Sequence, residues 1–185
     1  MGYLDERNIS WECVFAAFFL ALLPRIGASI IGPGSTVYDP QNPRRLITTV
    51  KAAVNLSSET RGRIERSENA LNNSFENLPL FAIAVLAANV KGLDVFTLNI
   101  LSLAYLAIRV LYIWVYIWGQ EYPSLHPLTR TLIWFVGNFV LGYIYLSPGA
   151  PGSGLTPINA LKEEYSFWLS KAIRIPKDSV LDPRL

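Results

Sequence analysis

Residues 58–119 read SETRGRIERSENALNNSFENLPLFAIAVLAANVKGLDVFTLNILSLAYLAIRVLYIWVYIWG and decide the fold, because they hold two long apolar segments joined by a short turn at 91–94. Such a short connection makes two helices lie antiparallel, side by side. The uncharged run before Lys91 has only 14 residues, and so has the run between Asp94 and Arg109. A helix needs roughly 20 residues to cross about 30 Å of hydrocarbon. A bilayer-spanning hairpin must therefore hold Glu76 and Arg109 inside the membrane, where ionisable side chains indicate a functional site.

The two helices of this hairpin carry polar side chains at matching depth. Counted outward from the turn, three pairs lie at 15, 18 and 22 residues: Glu76 with Arg109, Asn73 with Tyr112, and Asn69 with Tyr116. Within each helix the spacing places these residues on one face, and Arg66 extends the stripe outward by one turn. We expect Glu76 and Arg109 to meet and the pairs to form a slot open to one side. The slot either fixes helix register or binds a charged, polar ligand, and its surplus of polar groups favours the ligand.

The bulk composition excludes several classes of protein. The chain has 185 residues, 51% of them hydrophobic and 16% charged, and its mean hydropathy of +0.30 is typical of a small membrane domain. A net charge of +2, scattered along the chain, argues against nucleic-acid binding. One cysteine and one histidine provide neither an intramolecular disulfide nor a metal site.

The hydropathy pattern predicts an all-α protein with four transmembrane helices. The predicted crossings are 13–38, read as a retained signal anchor kinked at Pro24, then 58–90, 94–119 and 131–150. Arg25, beside the kink, either pairs or snorkels to the surface. The basic loop at 38–63 is predicted to be cytosolic, which leaves Asn8, in Asn8-Ile-Ser10, as a luminal glycosylation acceptor. Residues 1–150 form the predicted membrane domain, and 151–185 form a linker and tail with a short amphipathic surface helix.

Two motifs in the hairpin resemble a known family. The first is Arg-x6-Asn-x2-Glu-x2-Pro-x-Phe, and the second is Arg-x2-Tyr-x3-Tyr beginning at Arg109. The first motif comprises Arg66, Asn73, Glu76, Pro79 and Phe81. These motifs resemble the membrane-associated proteins in eicosanoid and glutathione metabolism (MAPEG), especially the fungal branch and the microsomal glutathione transferases. The resemblance implies a multi-pass protein of the endoplasmic reticulum membrane and a homotrimer of four-helix protomers. It implies glutathione as co-substrate, no metal, and a lipophilic electrophile that enters from the membrane lipids.

The resemblance also implies roles for individual residues. Arg130 would be the catalytic group that stabilises the glutathione thiolate. The glutathione-binding residues would be Arg66, Asn69, Asn73, Glu76, Arg109, Tyr112 and Tyr116. The implied activity is that of a transferase or peroxidase of the microsomal type. The alternative is a non-enzymatic scaffold of the same fold that binds a lipid or modulates a partner, and it is favoured by Asn69, because the well-studied enzymes carry an arginine there.

Overall fold

The computed structural model describes residues 3–126 and 128–149, and every regular element within those ranges is helical. The α-helices in chain order are α1 (Tyr3–Glu6), α2 (Ser10–Arg25), α3 (Leu46–Ala52), α4 (Ser58–Val90), α5 (Val95–Trp118) and α6 (Thr129–Leu146). The all-α prediction is therefore confirmed. The linker and surface helix predicted for 151–185 lie outside the described residues.

The α4–α5 hairpin forms where the sequence places it, because each helix end carries a local stop or start signal. The Ser57 side chain accepts the Thr60 amide and begins α4, and the Asp94 side chain accepts the Thr97 amide and begins α5. Between them the chain turns at Gly92, whose φ of 69° favours glycine. The predicted limits of α4 and of the turn are thus confirmed.

Four helices, α2, α4, α5 and α6, pack on one another around a shared apolar core. Phe81 of α4 is fully buried and stacks on Tyr105 of α5, with 4.3 Å between the ring centroids. Helix α6 packs on α5 at Gly137, where an added Cβ would make an ordinary van der Waals contact of 3.5 Å with the Ile108 side chain. The other buried residues of this cluster are Cys13, Ala17, Ala84, Val85, Ala88, Leu98, Leu141 and Ile144.

Among the residues that the structure describes, two segments are long and apolar enough to cross a membrane. They are Ser10–Ile30, with 21 residues, and Val95–Glu121, with 27 residues. Helix α4 does not qualify because its first half is charged, and α6, with 18 residues, contains Arg130 and Asn138, which lower its mean hydropathy. The outward surface of the described helices carries large apolar side chains, for example Phe15 and Phe139, which are 66% and 74% exposed. Such surfaces are suited to lipid or to another protein chain.

The first predicted crossing is shorter and less regular than the sequence indicated. Helix α2 runs through Pro24 to Arg25, a π-helical turn follows at Ile26–Ile30, and the chain then leaves the bundle. A Cβ at Gly32 would lie 2.1 Å from the Gly27 carbonyl oxygen, so the chain can turn away here only because residue 32 is glycine. The prediction of one helix over 13–38 is therefore wrong beyond residue 30.

The basic loop contains a helix that the sequence analysis did not anticipate. Helix α3 packs Leu46 and Val50, both almost fully buried, against Ile64 of α4. Leu46 and Val50 are four positions apart and therefore share one helix face. A helix of seven residues is not stable by itself, so the packing of this face on α4 stabilises α3. The loop is thus docked on the first turns of α4.

At the opposite end of the bundle, an amide cluster joins the N-terminal segment to the hairpin. The Asn8 side chain donates to Asn89 and accepts from the amide and hydroxyl of Ser10. Asn99, fully buried, donates to the carbonyl oxygens of Leu4 and Arg7 and accepts the amide of Ile9. Buried side-chain amides that form these hydrogen bonds fix the position of the N-terminal segment against the hairpin.

Candidate functional site

Arg109 lies in the interior of the bundle and is held by neutral groups. Its side chain is buried, and Nη2 donates to Asn73 Oδ1 and to Ser74 Oγ, each at 3.0 Å. The guanidinium carbon also lies 4.6 Å from the centroid of the Tyr112 ring, a cation–π contact. The two helices bring polar side chains together as predicted. The residues of α4 that contact Arg109 are Asn73 and Ser74.

Glu76 does not pair with Arg109, and that expectation is wrong. The Glu76 side chain is exposed on the outer face of α4, and none of the ion pairs between described residues includes it. Each residue advances a helix by about 100°, so turning Asn73 and Ser74 toward Arg109 carries Glu76 to a different side. Asn69 and Asn72 are likewise exposed. Helix α4 therefore presents a polar outer face.

Four of the predicted site residues line one cleft. Asn73, Tyr112, Tyr116 and Arg130 surround a space of about 270 Å³, completed by Thr131 and Trp134. The guanidinium carbon of Arg130 lies 4.6 Å from the centroid of the Tyr116 ring, and the rings of Tyr112 and Tyr116 are 5.6 Å apart. Helices α4, α5 and α6 each contribute to the cleft. The structure thus places Arg130, the second residue of α6, beside both predicted tyrosines.

Arg66 lies outside this cleft and connects α4 to the end of α5 and to the turn at Gly119–Glu121 that follows it. Its Nε donates to the Ile117 carbonyl oxygen at 2.6 Å, and its Nη2 donates to Glu121 Oε1 at 2.8 Å. Arg63 binds the same carboxylate at 3.0 and 2.8 Å, which raises the pKa of the Arg63 guanidinium above its usual value. Glu121, which sequence reasoning did not select, therefore holds two arginines near the cleft.

A partly buried ion pair joins α2 to α4, and sequence reasoning missed one of its members. Arg25 donates to both carboxylate oxygens of Glu68, with 2.8 Å between Arg25 Nε and Glu68 Oε1. The exposed fraction of the side chain is 27% for Arg25 and 6% for Glu68. A lone cation in an apolar segment signals that a partner is needed. Several acidic residues near the start of α4 could have met that need, so the sequence could not choose among them.

The described residues contain no group of three or more histidine, cysteine, aspartate or glutamate side chains that could hold a metal ion. The groups that line the cleft offer hydrogen bonds and a fixed positive charge. An amide, two phenols and a guanidinium suit a ligand that carries carboxylate or thiolate groups.

The model of the MAPEG family matches residues 11–150. The chain belongs to the MAPEG family. The match covers the four packed helices from Trp11 onward and every predicted site residue, and the family resemblance carried by the hairpin motifs is confirmed. Membership in this family of helical membrane proteins, together with two apolar helices, makes the chain a membrane protein. No curated protein and no solved structure matches the chain.

Proposed function

We propose that this MAPEG protein is a membrane-embedded, glutathione-dependent transferase or peroxidase that acts on a lipophilic electrophile. The observation that carries the proposal is the cleft in which Arg130 lies with Asn73, Tyr112 and Tyr116. Family membership supports glutathione as the thiol, because the family is associated with glutathione and eicosanoid metabolism. Within the family, the proposal favours the microsomal transferases and their fungal relatives.

Arg109 orients the amide of Asn73 for ligand binding. A guanidinium can only donate hydrogen bonds, so the oxygen of the Asn73 amide faces Arg109, at 3.0 Å. The amide nitrogen of Asn73 then remains to donate to a carboxylate in the cleft. Arg109 in this account is a positioning residue, and glutathione, with two carboxylates, is a ligand that such donors would recognise.

Arg130 would supply the chemical step. A fixed cation close to a thiol favours the thiolate and lowers the thiol pKa from its ordinary value of about 8.5. The glutathione proton passes to solvent, and the thiolate then attacks the electrophile. The contact between Arg130 and the Tyr116 ring holds the guanidinium at the edge of the cleft, where the thiol would lie.

The polar outer face of α4 supports a homotrimer. Glu76 is exposed in the isolated protomer, although it lies in the second half of α4, which a bilayer would surround, and the exposed Asn69 and Asn72 extend the same polar face toward the charged first half. A carboxylate facing lipid is costly, so another protein surface must cover it. We propose that α2, α4, α5 and α6 all cross the endoplasmic reticulum membrane. A neighbouring copy would then cover this face, with glutathione between subunits near the cytosolic side.

The test is thiolate formation by full-length protein purified in detergent. Glutathione should develop the ultraviolet absorbance of a thiolate, and Arg130→Ala should lower the thiolate fraction roughly tenfold near neutral pH, because an adjacent cation shifts a pKa by about one unit or more. The control is Arg44→Ala, which removes an exposed loop cation and should leave the signal unchanged. Absence of binding at millimolar glutathione would overturn the proposal and favour the scaffold.

A further inference from the structure

The loop between α2 and α4 lies at the level where both apolar spans end. The first span ends at Ile30 and the second at Glu121. Glu121 binds Arg63 of α4, and the next residue, Ile64, packs against α3. The ends of a spanning segment lie at the membrane surface. Helix α3 is therefore held at the height of the lipid headgroups.

Four basic side chains surround α3 and form a surface that we call the α3 patch. Arg44 and Arg45 lie in the turn before the helix, and Lys51 lies in its last turn; all three are exposed. Arg61, which is half-buried on α4, donates to the Lys51 carbonyl oxygen at 3.4 Å. A helix of seven residues is about 10 Å long, so the four cations share one small surface.

The protein neutralises this patch only in part. None of the ion pairs between described residues includes an arginine of the patch. Lys51 pairs with Glu65 at 3.9 Å, the longest of those pairs. Asp39 lies near Arg45, but its carboxylate already accepts hydrogen bonds within its own turn. Positive charge therefore remains for an anionic partner.

Two exposed apolar side chains lie in the same loop as the patch. Val54, two residues after α3, is fully exposed, and Ile31, the first residue after the α2 span, is 78% exposed. Apolar side chains beside basic ones are typical of segments in the membrane interface, where the apolar groups leave water and the cations face anionic lipid. A lipid surface satisfies both sets of side chains, whereas a soluble phosphate compound satisfies only the cations.

We propose that the α3 patch binds the headgroups of anionic phospholipids while Val54 and Ile31 insert into the bilayer surface. Guanidinium groups bind phosphate oxygens through paired, charge-assisted hydrogen bonds. The lipid in this account is a partner that holds the loop on the membrane. The inference goes beyond the proposed glutathione chemistry and does not depend on it, because the patch shares no residue with the cleft around Arg130.

Native mass spectrometry of the full-length protein in an uncharged detergent tests the binding of single lipids. The probe is 1-palmitoyl-2-oleoyl phosphatidylserine, and phosphatidylcholine with the same chains is the neutral reference. Arg45→Gln with Arg61→Gln should weaken phosphatidylserine binding about 25-fold, since each basic residue near an anionic surface contributes a factor of about five. Phosphatidylcholine binding should not change. The matched control is Arg7→Gln with Lys91→Gln, which removes the same charge at the opposite end of the bundle and should bind like the native protein.

A fluorescent label at residue 54 tests the insertion. Val54→Cys, in a Cys13→Ala background, carries an environment-sensitive fluorophore, and the protein is reconstituted in nanodiscs with and without phosphatidylserine. The emission should shift to the blue when phosphatidylserine is present, because the label leaves water. Adding Arg45→Gln and Arg61→Gln should reverse this shift. Thermal melting of each variant confirms that it has folded.

Several outcomes would overturn the proposal. They are equal affinity of the native protein for the two lipids, equal losses in the patch variant and its control, and emission from residue 54 that stays water-like with phosphatidylserine. Release of the lipid by millimolar glycerophosphoserine at constant ionic strength would assign the patch to a soluble phosphate compound instead. If the patch variant does not fold, salt decides with the native protein. Rising salt should weaken the binding of phosphatidylserine and not that of phosphatidylcholine, and an equal response of the two lipids refutes the proposal.

Discussion

Replacing Glu68 tests whether the ion pair between α2 and α4 stabilises the bundle. Glu68 is almost fully buried and accepts two hydrogen bonds from Arg25, one to each carboxylate oxygen. Glu68→Leu replaces the carboxylate with an apolar side chain of similar size, and it leaves the Arg25 guanidinium without its partner. Glu68→Gln keeps one hydrogen-bond acceptor and removes the charge. Glu68→Leu therefore removes both the charge and the hydrogen-bond acceptors, whereas Glu68→Gln removes the charge and keeps one acceptor.

The expected magnitudes follow from the burial of the two partners. Removing one member of a buried pair costs about 3–5 kcal/mol, and because Arg25 is 27% exposed and partly solvated, Glu68→Leu should cost about 3 kcal/mol. Glu68→Gln should cost about 1.5 kcal/mol, near the value of one charge-assisted hydrogen bond. The double variant Arg25→Met with Glu68→Leu should regain most of the loss, because no unpaired charge remains.

Equilibrium unfolding in mixed detergent micelles, followed by circular dichroism, measures these free energies. The control is Glu59→Gln, which breaks an exposed pair with Arg63 on the same helix and should cost less than about 0.5 kcal/mol. A Glu68→Leu protein within about 0.5 kcal/mol of the native one would refute the reasoning, since that loss is the value of an exposed pair. A double variant no more stable than Glu68→Leu would also refute it.

Three further predictions concern the loops and helix ends. Gly32→Ala should cost at least about 3 kcal/mol in the same unfolding assay, because its Cβ would overlap a backbone oxygen, whereas Gly27→Ala meets nothing within 4 Å and should stay within about 1 kcal/mol. Asn8 should carry no glycan when the chain is made in eukaryotic cells, since its amide is already bonded on both sides; a mass shift on glycosidase treatment would show that the cluster does not form. The bond from the Thr97 amide lowers the pKa of Asp94, so the stability that this carboxylate contributes is present above its ordinary pKa of 3.8 and is lost as the pH falls below that value. As the pH is lowered through this range, the melting temperature of Asp94→Asn should therefore fall less than that of the native protein. Asparagine keeps a capping side chain that does not titrate.

The sequence by itself determined the α4–α5 hairpin. Ser57, Gly92 and Asp94 set the helix ends through bonds that span no more than about four residues, so local sequence was sufficient. The rise of a helix per residue predicted Glu76 as the residue level with Arg109, and Arg109 instead contacts Asn73 and Ser74, three and two residues earlier in α4.

Only the tertiary structure decided how the helices are rotated and which side chains meet. Depth matching selected Glu76 for Arg109, but α4 turns that residue outward and buries Glu68 against Arg25. Each residue rotates a helix face by about 100°, and the rotation that is adopted depends on packing against α2, α5 and α6 at once. The contact of Arg130 with Tyr116 depends in the same way on how the chain folds between α5 and α6. No local pattern encodes such choices, because they are settled by contacts between residues that lie far apart in the chain.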